Sequence, residues 1–191
     1  MTVGAPRYGR SRALVEWTAA TARWGLRTSR LDGLADAVAR GAFSRAQASS
    51  VWPAAAGMGC CSVGLLSVMG PRWDPERLGH VFADAPEGCD VLLVDGPLTR
   101  ATRAELPRLV ARMCEPRWVI AVGSCAVSGG AFRGGHAVLG GVDQEVPVDV
   151  YVPGCPPSPE AVLLGLVKLS ELIRARAGPY VVVDAGEGGL L

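Results

Sequence analysis

Four of the six cysteines lie in loops rich in glycine and proline. Cys60 and Cys61 end the run Gly57-Met-Gly-Cys-Cys61, Cys125 lies in Gly123-Ser-Cys-Ala-Val-Ser-Gly-Gly130, and Cys155 lies in Pro153-Gly-Cys-Pro-Pro157. Four thiolates suit either a tetrahedral zinc ion or an iron–sulfur cube. Structural zinc is usually gripped by paired knuckles with two to four residues between the cysteines, and the chain has none, so the dispersed pattern favours a [4Fe-4S] cluster. Adjacent cysteines on a strand would point to opposite faces, so the backbone at Cys60 and Cys61 must turn for both to reach one ligand. The neighbouring glycines permit unusual dihedrals and close approach, and the prolines around Cys155 fix its loop in advance. Such loops suit an inorganic group whose sulfurs accept main-chain N–H bonds.

The elements that must position these loops read as an α/β domain. Val91–Asp95, Trp118–Val122 and Val148–Val152 are short apolar runs of the kind found in strands buried on both faces. Residues 103–114 and 159–176 show helical spacing, the second opening on a proline. Strands alternating with helices predict a flavodoxin-like parallel sheet flanked by helices. Cys125 and Cys155 each follow the carboxyl end of an expected strand, the edge where open α/β sheets place ligands. Residues 49–177 are expected to form this domain, with a basic amphipathic extension at 1–48 and a tail at 178–191.

In that extension Trp17, Trp24, Leu31 and Val38 recur every seven residues, and eight arginines face only Glu16, Asp32 and Asp36 across residues 1–45. Gly25 and Gly33 predict two short helices rather than one, whose apolar stripe suits a partner subunit or a membrane interface. Over the whole chain, 19 basic and 18 acidic residues leave a net charge of +1, too balanced for a nucleic-acid-gripping protein. With 191 residues, 49% hydrophobic and 19% charged, there is material for one folded core. No run is long enough to span a bilayer. Cys89 and Cys114 lie outside the motif loops and read as structural thiols. His80 and His136 lack ligand spacing, and Arg72 with Asp74 suggests a local ion pair before a helix start at Pro75.

Four segments carry a resemblance to a known family: Ser50–Cys61, Pro71–Gly79, Gly123–Ala126 and Val146–Pro157. Together they resemble the 20 kDa iron–sulfur subunit of bacterial NADH:quinone oxidoreductase (complex I), a family related to nickel–iron hydrogenase small subunits, over Trp52 to Ile173. The resemblance implies that Cys60, Cys61, Cys125 and Cys155 bind one [4Fe-4S] cluster. It further implies an electron-transfer role within a membrane-associated complex, passing electrons to quinone at the junction with a large (49 kDa, hydrogenase-large-subunit-like) neighbour. A ferredoxin-like iron–sulfur subunit and membrane subunits are the other implied partners, on the cytoplasmic side of the bacterial plasma membrane, with no nucleic acid involved.

Two features also look like membrane-bound hydrogenase small subunits, Ser128–Phe132 and Gly140–Asp143. Gly64 stands where the complex I pattern has a glutamate. Gly57 occupies the place of the first cysteine in the hydrogenase C-x-x-C pair. The alternatives are therefore the small subunit of a membrane-bound nickel–iron hydrogenase or related ion-translocating complex, and, outside redox chemistry, a zinc-stabilised binding module.

Overall fold

The structure, a computed structural model, describes residues 32–175 and 181–182. Its first described element is helix α1 (Asp32–Ser49), a single helix that continues through Gly33 and Gly41 and ends one residue past the expected boundary at 48. The rest of the tryptophan stripe lies outside the described residues.

Five parallel strands form the main sheet: β1 (Pro53–Gly57), β2 (Val91–Asp95), β4 (Trp118–Val122), β6 (Val150–Val152) and β7 (Val181–Val182), lying side by side in that order. The intervening β3 (Leu98–Thr99) and β5 (Val138–Gly140) pair antiparallel with each other as a separate small ladder. Helices α2 (Ser62–Val68), α3 (Glu105–Arg112), α4 (Gly123–Ser128) and α5 (Pro159–Ala175) complete the chain, with short 3₁₀ turns at Pro75–Leu78, Pro86–Gly88, Gly130–Phe132 and Val142–Gln144.

The register pairs Gly57 with Asp95 and Asp95 with Val122, so the loops after β1, β2 and β4 leave the sheet at one level. Beyond β1 the extended segment after Gly79 runs parallel to it: Val51 N–H donates to Gly79 O at 2.8 Å, Val81 N–H to Val51 O at 3.0 Å, and Ala83 N–H to Pro53 O at 2.8 Å. The chain thus steps outward from β1 to this segment and then crosses back to β2. The reversal is the flavodoxin-like order, and it opens a crevice between the carboxyl ends of β1 and β2, the topological switch point where such sheets bind ligands.

Alternation along the strands divides the core in two. Val91, Leu93, Ile120, Val122, Val150 and Val152 face one layer, where Leu65 and Val68 of α2, Ala48 of α1 and Val162, Leu166 and Leu169 of α5 bury them. Leu92, Val94, Val119 and Ala121 face the other, against Leu106, Met113, Val142 and Val148. β2 is buried at every position, as the apolar run predicts, whereas β1 is Ala-rich and exposes Ala55 and Gly57.

Candidate functional site

All four motif thiols come from loops at the carboxyl edge of the sheet. β1 ends at Gly57, and Met58 and Gly59 lead into a turn at Cys60 and Cys61; Cys61 has helical dihedrals (φ −67°, ψ −18°) and its carbonyl accepts from Leu65 N–H at 3.1 Å as α2 begins. The expected turn at the cysteine pair is therefore present. Cys125 lies inside α4, which starts directly from β4 at Gly123. Cys155 lies in the loop between β6 and α5, and its peptide bond to Pro156 is cis.

Backbone contacts lock these loops together. Ser124 donates to the carbonyl of Gly154 twice, through its N–H at 2.8 Å and its hydroxyl at 3.0 Å, which joins the Cys125 and Cys155 loops. Gly123 lies at their meeting point: a Cβ there would stand 2.6 Å from Cys61 Sγ, 3.5 Å from Gly154 O and 3.7 Å from Pro157 Cδ. Its φ of +86° likewise suits glycine. A Cβ on Gly130 would come within 3.0 Å of Cys125 Sγ.

The thiols lie near enough to affect one another's titration: Cys60 and Cys125 both act to raise Cys61, and Cys155 and Cys60 act to raise Cys125. Cys61 and Cys125 are buried, Cys60 and Cys155 exposed. Burial, then the Cys60 and Asp95 charges, pushes the Cys61 thiol up to about 12. Burial raises Cys125 as well, opposed by the backbone N–H of Ala131 pointing at its sulfur. Among the described residues no three Cys, His, Asp or Glu side chains converge on one point as a single bound ion requires.

Two residues that the sequence motifs do not mark complete the site. Asp95, fully buried at the end of β2, accepts from Met58 N–H at 2.9 Å and from the Ser62 hydroxyl at 2.7 Å. Ser62 also reaches Gly59 O at 2.7 Å. A carboxylate closing an otherwise apolar strand, Val91-Leu-Leu-Val-Asp95, was the available signal, because a buried charge needs fixed donors.

Other expected positions fall elsewhere. Cys89 and Cys114 meet at the opposite, amino-terminal edge, where Cys114 N–H donates to Cys89 O at 3.0 Å. Burial lifts the Cys89 thiol to about 11, as befits an inert structural group. His136 is exposed in its loop, whereas His80 is buried within the segment that runs outside β1. Asp74 does precede a short helix starting at Pro75, but its ion pair is with Arg77 at 2.5 Å; Arg72 instead lies over the Trp73 ring, 5.4 Å from its centroid. Gly64 faces the Cys155 loop, with space for a Cβ 3.6 Å from Pro157 O.

The fold is a flavodoxin-like sheet whose carboxyl edge carries the three cysteine loops, and the comparisons supply the class, a subunit of an oxidoreductase complex. The model of the NADH ubiquinone oxidoreductase 20 kDa subunit family matches residues 59–169, and the chain belongs to that family. Among solved structures it is similar to a chain of the membrane-bound sulfane sulfur reductase, an archaeal respiratory membrane complex, with 32% identity, a TM-score of 0.68 and coverage of 73% of this chain and 78% of that one. The protein is thus a member of an oxidoreductase-complex subunit family related to membrane-bound respiratory assemblies. No helix among the described residues is long and apolar enough to cross a membrane.

Proposed function

We propose that the protein is an electron-transfer subunit that carries one [4Fe-4S] cluster on Cys60, Cys61, Cys125 and Cys155 and passes electrons to quinone in a membrane-associated NADH:quinone oxidoreductase-type complex. The observation that carries this reading is that the three loops bearing Cys60, Cys61, Cys125 and Cys155 leave the same edge of the sheet and are tied together there, by Ser124 on Gly154 O and by the close approach of Gly123 to Cys61 Sγ. The residues fit the group: four soft donors are present, and glycine at 123 and 130 leaves the Cys61 and Cys125 sulfurs uncrowded. A zinc-stabilised module fits less well, because the sequence lacks the paired cysteine knuckles that structural zinc sites use. Bound there, a [4Fe-4S] group stores and releases one electron at a time.

The chain's own residues bind, shield and tune. Leu65 and Val122 share the buried cluster that contains Cys61, the Ala131 backbone opposes the burial that raises Cys125, and Ser124 holds two of the cysteine loops in register. Hydrogen bonds to ligand sulfur and burial are the levers by which a protein sets the potential of such a centre. The exposed thiols of Cys60 and Cys155 mark the side through which electrons pass to or from a neighbour.

Beside them α2 and its capping residue Met69 expose Val63, Leu66 and Met69, 73%, 66% and 45% accessible, as one apolar stripe at helical spacing. Such a stripe suits burial against the proposed large and membrane subunits, with a ferredoxin-like subunit as donor. Quinone would be reduced at that junction, on the cytoplasmic side of the bacterial plasma membrane.

A second reading is a subunit of a hydrogenase-related membrane complex with another terminal acceptor, favoured by the 32% identity to a chain of a sulfane sulfur reductase. Purification of the intact complex, metal analysis and electron paramagnetic resonance test both. A [4Fe-4S] signal lost in Cys155→Ser supports the cluster, and electron delivery to a quinone analogue rather than to protons or polysulfide supports the first acceptor. Stoichiometric zinc without an iron–sulfur signal would overturn both readings.

A further inference from the structure

The crevice between β1 and β2 contains one buried carboxylate, and neither of its contacts is with a charged group. Asp95 Oδ1 accepts from Met58 N–H at 2.9 Å and Oδ2 meets the Ser62 hydroxyl at 2.7 Å. These two partners stand at either end of the five residues that carry Cys60 and Cys61. The backbones of the crevice also interlock: a Cβ on Gly59 would lie 2.6 Å from Gly96 Cα, and one on Gly96 would lie 2.7 Å from Met58 C. Leaving Met58 N–H without an acceptor there would strand a polar group, and desolvated groups of that kind are expensive.

We propose that Asp95 is the positioning residue of the tandem-cysteine turn, holding its two ends through Met58 N–H and the Ser62 hydroxyl and setting its carboxyl group beneath the segment that carries Cys60 and Cys61. The inference rests on the proposed cluster and adds a residue that acts on it through Cys60 and Cys61 without being a ligand. Contact and charge are separable by chemistry. In Asp95→Asn the amide oxygen still accepts from Met58, and its NH₂ donates to Ser62 Oγ, which then gives its one hydrogen to Gly59 O. In Asp95→Ala both contacts are lost. Ser62→Ala removes one contact and leaves the charge.

The test uses the intact complex in four forms: wild type, Asp95→Asn, Asp95→Ala and Ser62→Ala. The readouts are the rate of iron loss to an iron(II) chelator, the paramagnetic resonance spectrum and the reduction potential. The expected results are iron loss about tenfold faster or more in Asp95→Ala, the scale of one lost buried hydrogen bond, and a smaller acceleration in Ser62→Ala. Asp95→Asn should keep the wild-type iron-loss rate while its potential moves upward, because a nearby negative charge disfavours the reduced state. If Asp95→Ala does not assemble, the Asn and Ser62 variants decide between the outcomes. Wild-type iron loss, spectrum and potential in all variants that assemble would overturn the role of Asp95, as would Asp95→Asn as labile as the alanine variant. A wild type with no iron–sulfur signal would instead overturn the cluster reading, and this inference with it.

Discussion

The Cβ that Gly123 lacks would lie 2.6 Å from the sulfur of Cys61, 62 positions earlier in the chain. This one gap joins three loops, since the same Cβ would also approach Gly154 O and Pro157. Gly123→Ala is therefore expected to displace the Cys61 thiol as well as to strain a backbone at φ +86°. Gly134 has the same φ with nothing within 4 Å of an added Cβ. Gly134→Ala should cost only the left-handed strain, about 1 kcal/mol, and retain full iron content, whereas Gly123→Ala should lose most of its iron. Iron analysis and thermal melting of the two variants check this, and equal iron content in both would refute the clearance argument.

Serine in place of Cys60, Cys61, Cys125 or Cys155 should abolish or strongly perturb the iron–sulfur spectrum, because a hydroxyl is a poor substitute for thiolate at such a centre. Cys89→Ser and Cys114→Ser should leave it unchanged, since those thiols meet at the far edge of the sheet and donate to Pro86 O and Glu87 O. An intact spectrum in Cys155→Ser would end the four-ligand assignment.

Acid stability should show two opposed contributions. Burial lowers His80 to about 4, from an unfolded value near 6.5, and its Nδ1 has no hydrogen-bond partner. The unfolded chain thus binds the extra proton first, and His80 contributes stability that is complete above about pH 6.5 and falls away toward pH 4, a loss of about 2 kcal/mol at pH 5. Asp90 has the opposite sign: burial raises it to about 6 despite the hydrogen bond from Trp52 N–H, so its contribution is full below about pH 4 and is lost as pH rises through 6. Asp90→Asn should consequently be more stable than wild type at pH 7 and steeper in its loss on acidification, while His80→Gln should flatten the curve. Urea unfolding at pH 5 and pH 7.5 measures both, and a wild-type pH profile in His80→Gln would remove His80 from the account.

Assembly should depend on the α2 stripe. Val63→Asp and Leu66→Ser place polar groups on exposed positions, so the folded subunit should keep its melting temperature to within a few degrees while its incorporation into the complex falls several-fold. Co-purification with membrane subunits reads this out directly, and normal incorporation of the double variant would show that the stripe faces solvent in the assembly.

Restoring a carboxylate at Gly64 gives a further check. An added Cβ meets Pro157 O at an ordinary 3.6 Å, so Gly64→Glu should fold and set a negative charge beside the Cys155 loop. The potential should then move downward. Gly64→Ala should instead gain up to about 1 kcal/mol in helix stability with the potential unchanged. Redox titration of the two variants distinguishes charge from side-chain bulk.

The edge at which the cysteine loops leave the domain and most of the sheet were legible in the amino-acid sequence. Continuous apolar runs marked β2, β4 and β6 because both their faces are buried, and 3.6-residue spacing marked α3 and α5 to within about two residues of their ends. The pattern did not reveal β1, where Pro53-Ala-Ala-Ala-Gly57 has little strand propensity of its own and is held by neighbours on both sides. Nor did Gly33 divide α1, because packing of a helix face on the domain outweighs the local cost of one glycine.

The three-dimensional arrangement was needed to settle which sulfurs are buried, that Gly123 is the clearance for Cys61, and that Asp95 reaches back across 37 residues to Met58. It also set the segment after Gly79 outside β1, which creates the crevice. These facts follow from strand order and register. Periodicity reports which face of an element is apolar, but the distance between two loops depends on which strands are neighbours and on where each one stops.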